Sequence, residues 1–279
     1  MPSRGMLGAS LKEVCKERNH MFIKPSHEDF DITNTDCIYE LKQMIEEINP
    51  EILINSTDLI GIPICEANPK RTVEINGNAV YDLAKVCNEK NIVFVQSSTH
   101  AVFNGEKEAP YTEEDICSPI NIYGLSKLIG EFHTKNAGKH YIFRFPTMYG
   151  PTNNETLGFV DKMLDRMKQG QRLRVADDRM DSPSYSLHIA RKVIDLLDRQ
   201  YPYGIYHVSN SGYVSYYEFI KRLGKEIGFS GKVERAKDSE FPGPAPNPLR
   251  DALSSNKIKD MPDWVAGLKE YVVKEQIKC

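Results

Sequence analysis

Val95-Gln-Ser-Ser-Thr99 and Tyr123-Gly-Leu-Ser-Lys127 are the two stretches that decide the fold of this chain. The first is an apolar run that passes into a row of hydroxyls, which is typical of a buried strand with a polar end. The second begins a predicted helix, and because residues four apart share a helical face, Lys127 is expected beside Tyr123. A close cation favours the ionised form of a phenol, so we expect Lys127 to lower the pKa of Tyr123. The pair predicts an acid catalyst for carbonyl reduction or alcohol oxidation, although the same spacing also occurs on solvated helix surfaces.

Short apolar runs alternate with amphipathic segments around these stretches up to about residue 144. This alternation is typical of βαβ units around a parallel sheet. We predict helices over residues 7–18, 37–48, 71–88 and 121–136. We predict strands over residues 20–24, 52–56, 92–97 and 141–145, and their Ile, Val and Phe content indicates burial on both faces. The fold class is therefore α/β, a Rossmann-type doubly wound parallel sheet.

The chain changes character after residue 150. We expect residues 1–150 to form the Rossmann-like domain and residues 151–279 to form a smaller α/β lobe, interleaved with the last sheet strands. In this half we predict helices over residues 155–168, 186–199 and 215–227, and strands over residues 173–176 and 204–208. The run Phe241-Pro-Gly-Pro-Ala-Pro-Asn-Pro248 carries too many prolines for a regular element and is predicted to be a loop.

The composition argues against several classes of protein. Apolar residues make up 40% and charged residues 27%, and the net charge is −3, as in ordinary globular proteins. Basic residues are scattered without interleaved aromatics, and no apolar run reaches the ~18 residues of a membrane span, so neither nucleic acid nor a membrane is an expected partner. A signal-peptide pattern is missing at the start, so a cytoplasmic protein is expected. The six cysteines and seven histidines lack zinc-ligand spacing, so we expect reduced thiols and no metal site.

Gly5-Met6-Leu7-Gly8 precedes the first predicted helix. Glycines at such a helix start let the backbone approach a pyrophosphate, which the helix N-terminus then holds. The sequence as given has only residues 1–4 before Gly5, and Pro2 stands where the first glycine of the pattern belongs. We therefore expect the sheet to lack its central first strand. The alternative is a glycine-rich helix start without a function.

Polar residues follow several predicted strands, at the edge where ligands bind in open α/β sheets. Asp31 and Ile32 follow the second strand and could contact an adenine, with an ordinary turn or helix start as the alternative. Lys24 closes that strand, where a carboxylate would favour NAD through the ribose hydroxyls, so NADP is weakly favoured over NAD. Asn55-Ser56-Thr57-Asp58 ends the third strand, and small polar residues there suit a cofactor.

Asn76 lies in the helix that follows the third strand. It could hydrogen-bond backbone or a water molecule near the lysine, and an exposed helical asparagine is the alternative. Ser97, Ser98 and Thr99 close the fourth strand. One of these hydroxyls can donate to a substrate carbonyl oxygen that Tyr123 also binds, while hydride arrives at the carbon.

The motifs form an ordered set: Gly5-Met-Leu-Gly8, Asp31-Ile-Thr33, Ser98-Thr99 with Val102-Phe103-Asn-Gly105, Pro110-Tyr111 with Glu114-Asp115, Tyr123-Gly-Leu-Ser-Lys127 with Gly130-Glu131, and Arg144 with Tyr149-Gly150. This set resembles the extended short-chain dehydrogenase/reductase superfamily, and within it the dTDP-4-dehydrorhamnose reductase-like branch. Its fixed order over about residues 5–150 is far more specific than any single motif.

The resemblance implies an oxidoreductase of polysaccharide biosynthesis that binds NADP or NAD and reduces the 4-keto group of a nucleotide-linked deoxysugar. It implies Tyr123 as proton donor, Lys127 as the ligand of the nicotinamide ribose, and Thr99 as the group that polarises the carbonyl. The implied cofactor residues are Gly5, Met6, Leu7, Gly8, Asp31, Ile32, Asn55, Ser56, Asn76, Ser97, Tyr123 and Lys127. The implied substrate residues are Ser98, Thr99, His100, Thr147 and Arg250, of which Arg250 suits a diphosphate. In the second lobe, residues 178–185 are expected to line the sugar side.

Departures from the family pattern limit the substrate. Dehydratases of the superfamily follow the threonine with Asp-Glu, and His100-Ala101 stands there, so dehydration is disfavoured. Rhamnose reductases carry Tyr where Ala101 stands and Trp where Thr147 stands, so another sugar nucleotide is expected. Two alternatives stay open: a sugar-nucleotide epimerase, and a non-catalytic NAD(P)-binding regulatory subunit similar to that of methionine adenosyltransferase, which Arg144-Phe-Pro-Thr-Met-Tyr149 resembles. A homodimer is also left open.

Overall fold

A four-stranded parallel sheet forms the centre of the protein. The structure is a computed structural model that describes residues 5–25, 32, 37–151 and 158–277. The described strands are β1 (Ile52–Asn55), β2 (Val93–Thr99), β3 (His140–Phe145), β4 (Met148–Tyr149), β5 (Leu173–Ala176), β6 (Met180–Asp181), β7 (Ser184–Tyr185), β8 (Gly204–His207), β9 (Val214–Ser215) and β10 (Val233–Ala236). In the described part of the chain the sheet runs in the order β1-β2-β3-β8, and its neighbours are parallel throughout.

Helices cover both faces of this sheet, as parallel strands require, because their crossover connections lie outside the sheet. The described helices are α1 (Met6–Glu17), α2 (Cys37–Ile48), α3 (Ile62–Ala67), α4 (Pro69–Val73), α5 (Ala79–Glu89), α6 (Ile122–Thr134), α7 (Phe159–Lys168), α8 (Ser186–Asp198), α9 (Tyr216–Glu226) and α10 (Trp264–Lys274). A π-helical segment, Glu74–Asn78, joins α4 to α5, and Thr99 is followed by a 3₁₀ turn, His100–Val102. None of the described helices is both long and apolar enough to cross a membrane.

The core lies on both sides of β2, because successive side chains of a strand point to opposite faces. Val95 packs with α1, α8 and the aromatic rings of β3, in a cluster that continues into the second half of the chain through Tyr149 and Phe219. Phe94 packs on the other face with α2 and α5. The predicted α/β class with a doubly wound sheet is therefore confirmed, and β8 shows that the second half contributes a strand to the sheet.

The predicted strand over residues 20–24 is wrong, because these residues form no strand in the structure. A strand needs a ladder partner, and in the Rossmann order the second strand pairs with the central first strand. Within the described residues only β2 pairs with β1, so the other edge of β1 carries no strand. Met21 and Ile23, which the sequence placed in that sheet, are 86% and 48% exposed.

The remaining predicted elements match the structure within a few residues. The helix predicted over residues 71–88 is observed as α4, the π-helical segment and α5 in succession. The helix predicted over residues 155–168 is observed from Phe159, and residues 152–157 lie outside the described residues. The second half adds three two-stranded sheets, β10 with β5, β4 with β7 and β6 with β9. The proposed boundary at residue 150 stays a prediction.

Candidate active site

The start of α6 is held firmly, and it carries Tyr123 and Lys127. The Asn121 side chain accepts a hydrogen bond from the Gly124 N–H at 2.9 Å, and Glu66 Oε1 accepts one from the Ile122 N–H at 2.8 Å. These bonds satisfy N–H groups that a helix start otherwise leaves without partners. A Cβ atom at Gly124 would lie 2.1 Å from the carbonyl oxygen of Ala101. Glycine at this position therefore lets α6 approach the end of β2 closely.

This close approach brings Tyr123 to Thr99. The Thr99 hydroxyl lies near the Tyr123 phenol and favours its ionised form, which lowers the pKa of Tyr123. Thr99 Oγ1 also accepts a hydrogen bond from the Ala101 N–H at 3.1 Å, which fixes the hydroxyl at the start of the 3₁₀ turn. The structure thus joins two residues that the sequence predicted to share one substrate oxygen.

Lys127 forms an ion pair with Asp58, which closes the polar stretch that the sequence placed at the end of β1. Lys127 Nζ donates to Asp58 Oδ1, and the two side chains are 1% and 13% exposed. Burial raises the pKa of Asp58, and Lys127 opposes that shift. The sequence did not connect Asp58 with Lys127, because the two residues lie on different elements.

The expected lowering of the Tyr123 pKa is wrong for this structure. Burial raises the pKa of Tyr123 well above its usual value, the Asp58 carboxylate raises it further, and the nearby Thr99 hydroxyl lowers it. The physical reason is that Asp58 offsets the charge of Lys127, while burial favours the neutral phenol.

Asn55 and Asn76 hold the turn that carries Asp58. Asn55 Oδ1 accepts from the Thr57 N–H at 3.1 Å, and its amide donates to Gln96 Oε1 at 2.8 Å. Asn76 Oδ1 accepts from the Leu59 N–H at 2.8 Å, and Asn76 Nδ2 donates to the Leu59 carbonyl at 3.0 Å. Both residues flanking Asp58 are therefore fixed. Ser56 lies in the same turn and is half-buried.

Ser97 and Ser98 point in different directions. Ser97 is buried against α1 and borders a small, mainly apolar cavity with Leu7 and Leu11. Ser98 Oγ donates to Glu131 Oε1 at 2.5 Å, and Glu131 forms a buried two-fold ion pair with Arg144. The structure therefore does not bring Ser98 to the Tyr123 hydroxyl, because alternate residues of a strand face opposite sides.

His100 lies between two buried carboxylates from the second half of the chain. Its Nδ1 is 3.4 Å from both Asp181 Oδ1 and Asp251 Oδ2. Burial lowers the pKa of His100, but Asp251 and Asp181 raise it more, so that it reaches about 9. Burial raises the pKa of Asp251 to about 6 against the effect of His100. His100 is therefore a cation at neutral pH.

Arg179, Tyr216 and Thr147 complete this group. The Arg179 guanidinium lies 4.9 Å from the centre of the Tyr216 ring, and the hydroxyls of Tyr216 and Thr147 are 3.0 Å apart. The Thr147 N–H donates to Asp181 Oδ2 at 3.3 Å. We refer to His100, Thr147, Arg179, Asp181, Tyr216 and Asp251 as the His100 cluster, and to Asp58, Lys127, Tyr123, Asn55 and Asn76 as the Lys127 cluster.

The donor atoms of His100, Asp181 and Asp251 are close enough together to hold a metal ion, and they form the one such group found in the described residues. Protonated His100 lies between the two carboxylates, and Arg179 is close to both while its ion pair, at 3.7 Å, is with Asp238. The sequence placed residues 178–185, which include Arg179 and Asp181, on the sugar side. It gave no role to Tyr216 or Asp251, because no local pattern connects these positions to His100.

The other predicted site residues lie at different places. Gly5 caps α1, with Leu7 and Gly8 buried in the helix that follows and Met6 half-buried. Ile32 is buried with the residues of α2 and α5. Asp31 lies outside the described residues. Arg250 is exposed, and its backbone pairs with Met180.

Comparison with known proteins places this arrangement in a family. Residues 2–277 match the family model described as RmlD substrate binding domain. The chain is 30% identical over 280 residues to the spore coat polysaccharide biosynthesis protein SpsK of Bacillus subtilis, covering 99% of this chain and 96% of that protein. It is 27% identical over 268 residues to the dTDP-4-dehydrorhamnose reductase of Escherichia coli, covering 87% and 88% of the two chains.

Solved structures agree with these relatives. A dTDP-4-dehydrorhamnose reductase from Clostridium acetobutylicum has a TM-score of 0.91 and 29% identity, covering 99% of this chain and 98% of that one. The Bacillus anthracis enzyme in complex with NADP has a TM-score of 0.90 and 28% identity, covering 98% and 96%. The predicted dTDP-4-dehydrorhamnose reductase-like branch and cofactor class are thereby confirmed. The chain belongs to the RmlD substrate binding domain family, within the extended short-chain dehydrogenase/reductases.

Proposed function

We propose that this chain reduces the 4-keto group of a nucleotide-linked deoxysugar, using NADPH or NADH. The observation that carries the proposal is the placing of Tyr123 near Thr99 at the carboxyl end of β2, with Lys127 one helical turn further along α6. Relatives named dTDP-4-dehydrorhamnose reductase and dTDP-4-keto-6-deoxy-D-glucose reductase support the same reaction class.

A dinucleotide fits the carboxyl edge of the sheet, where open α/β sheets bind their ligands. The hydroxyls of Thr57 and Ser97 are buried there, one after β1 and one near the end of β2, and neither has a hydrogen-bond partner among the described residues. Buried polar groups normally have partners, so these two suit a polar ligand. Lys127 would hold the ribose next to the nicotinamide. Residues 1–150 would bind the dinucleotide and residues 151–279 the sugar nucleotide.

Residues of this chain would supply the proton that the reduction of the carbonyl group requires. When bound, the reduced nicotinamide supplies the hydride that the carbonyl carbon receives. Because the Thr99 hydroxyl lies near the Tyr123 phenol, one carbonyl oxygen could contact both. Tyr123 would then give its proton to that oxygen, and its raised pKa keeps the phenol protonated until the transfer.

The His100 cluster would face the sugar. His100 follows Thr99 directly, and Thr147 lies beside Asp181 and Tyr216. His100 and Thr147 would bind sugar hydroxyls, and exposed Arg250 would reach the diphosphate. Because Ala101 and Thr147 stand where rhamnose reductases carry aromatic residues, the proposed substrate is a sugar nucleotide other than the precursor of dTDP-rhamnose. We retain a cytoplasmic location as part of this proposal.

The test is turnover with a panel of dTDP- and UDP-linked 4-keto-6-deoxysugars, measured as loss of dihydronicotinamide absorbance and by identification of the sugar product. Tyr123→Phe should lower turnover roughly 100- to 10,000-fold, the usual contribution of a general acid. Unchanged turnover in this variant would remove Tyr123 from the reaction. Interconversion of sugars without net cofactor oxidation would indicate an epimerase, and dinucleotide binding without any turnover would favour the regulatory subunit.

A further inference from the structure

The contact between Asp58 and Lys127 is built into the fold. The Asn55 side chain accepts a hydrogen bond from the Thr57 N–H, and the Asn76 side chain bonds both the N–H and the carbonyl of Leu59. The residues on each side of Asp58 are therefore hydrogen-bonded to buried asparagines. The Asp58 side chain is consequently presented to α6 by a rigid turn. Lys127 is one of the largest fully buried side chains of the protein.

A buried ammonium ion is unfavourable without a counter-charge. Removal from water favours the neutral amine, whereas a carboxylate in contact favours the ion. Lys127 has three N–H donors, and Asp58 is the acceptor that it bonds within the described residues, so donors remain for a ligand oxygen. The charge of Lys127 therefore depends on Asp58.

Other titratable groups close to this pair lie on α3 and α6. Cys65 of α3 faces Asp58, and the charges of Asp58 and Glu66 both raise the pKa of its thiol. Glu66 is engaged with the Ile122 N–H at the start of α6. Tyr123 is neutral, because burial and Asp58 both raise its pKa. Asp58 is thus the carboxylate that contacts the ammonium.

We propose that Asp58 is a positioning residue that acts through Lys127. Asp58 keeps the buried Lys127 side chain an ammonium ion and directs this ion to the place of the ribose hydroxyls. The functional unit is therefore the Asp58–Lys127 pair. This inference rests on the proposed function, because it assumes a dinucleotide at Lys127. Beyond the proposed function, dinucleotide binding is expected to depend on the Asp58 carboxylate, even where this carboxylate does not contact the cofactor.

The experiment compares Asp58→Asn with the wild-type protein, using NADPH as the probe and no sugar substrate. NADPH affinity is measured by fluorescence from about pH 6 to pH 9. In Asp58→Asn the lysine has no counter-charge and loses its proton as the pH rises, so affinity should fall at least about tenfold across this range, while the wild type changes little. Reactivity of Lys127 toward an amine-selective reagent, followed by mass spectrometry, should rise in the variant.

Controls separate charge from folding. Asp58→Glu keeps the charge and should restore much of the wild-type pH profile, and Asp58→Ala provides a second neutral variant if Asp58→Asn does not fold. Asp260→Asn removes a Lys–Asp contact with Lys192 on the surface and should leave the NADPH profile unchanged. Circular dichroism of each variant checks the fold.

Two results would overturn the proposal. If Asp58→Asn binds NADPH with wild-type affinity and pH dependence, Lys127 does not need its counter-charge. If the variant binds NADPH more tightly at every pH, Asp58 competes with the ribose for Lys127. Because no sugar is present, a failure to find a sugar substrate would refute the proposed reaction and leave this result standing.

Discussion

The Lys127 cluster and the His100 cluster both bury charge, but they do so in different ways. The Lys127 cluster has one cation and one carboxylate. Asparagine side chains form hydrogen bonds with the backbone on both sides of Asp58. The His100 cluster has two cations and two carboxylates, joined to the neutral hydroxyls of Thr147 and Tyr216. The first group is fixed by backbone hydrogen bonds, and the second by balanced charges.

This difference determines what each group tolerates. In the Lys127 cluster Asp58 is the one carboxylate that contacts the ammonium among the described residues. In the His100 cluster His100 can release a proton when a carboxylate is lost, but the N–H groups of Thr147 and Ser182 also lose their acceptor when Asp181 is removed. Breaking a buried ion pair on one side is strongly destabilising. We therefore expect the His100 cluster to matter more for stability and the Lys127 cluster more for dinucleotide binding.

The largest expected effect is the loss of Asp181. Its side chain is fully buried, accepts from the Ser182 N–H at 2.7 Å and faces His100. Asp181→Ala should lower the free energy of unfolding by about 3–5 kcal/mol, measured by urea denaturation at neutral pH. Asp260→Ala, which removes an exposed partner of Lys192, should cost less than about 1 kcal/mol. Equal losses in the two variants would contradict the comparison.

The pH dependence of stability comes next in size. The pKa of His100 is about 9 in the folded protein against 6.5 as its ordinary value, so between these pH values the folded state holds one more proton than the unfolded state. The contribution of His100 to the free energy of unfolding, about 3 kcal/mol, is fully present below pH 6.5 and is lost as the pH rises to about 9.

Urea denaturation at a series of pH values measures this slope. His100→Asn, which has a nitrogen near the place of Nδ1 but does not titrate, should show a flatter profile between pH 6.5 and pH 9. If the variant and the wild type lose stability in parallel, His100 does not hold its extra proton.

A smaller effect is expected when the hydrogen bonds from Asn76 to the backbone of Leu59 are removed. Asn76→Ala deletes both bonds to Leu59 and the bond to Ser126 Oγ at 3.1 Å, so we expect a loss of about 2 kcal/mol and weaker NADPH binding. Asn78→Ala is the matched control, because Asn78 lies in the same π-helical segment and is exposed. Unfolding and NADPH titrations of both variants provide the measurement, and wild-type NADPH affinity in Asn76→Ala would refute the role of this turn.

The smallest expected effect concerns a neutral hydroxyl in the His100 cluster. Thr147→Val keeps the shape but removes the bond to the Tyr216 hydroxyl, and should cost about 1 kcal/mol. Thr147→Ser retains the hydroxyl and should recover most of that loss. A loss in Thr147→Val as large as that in Asp181→Ala would show that hydroxyls, rather than charges, hold this group together.

Local patterns in the sequence predicted most of the sheet and the helices. They failed at residues 20–24, where Met21 and Ile23 have the composition of a strand but pair with no strand in the described part of the chain. Strand formation depends on a partner that can lie anywhere in the chain, whereas a helix makes its hydrogen bonds within itself. The sign of the Tyr123 pKa shift failed for a related reason, because it depends on Asp58 from a different element.

The sequence by itself determined the family and the alternation of strands and helices. It also placed Thr99 at a strand end, and Tyr123 and Lys127 one helical turn apart, because periodicity fixes the relative positions of residues that are close in the chain. Only the tertiary structure decided that Lys127 pairs with Asp58, that Ser98 turns toward Glu131, and that His100 meets Asp181 and Asp251. These contacts join distant segments, and their charges act through space at distances that the folded core alone sets.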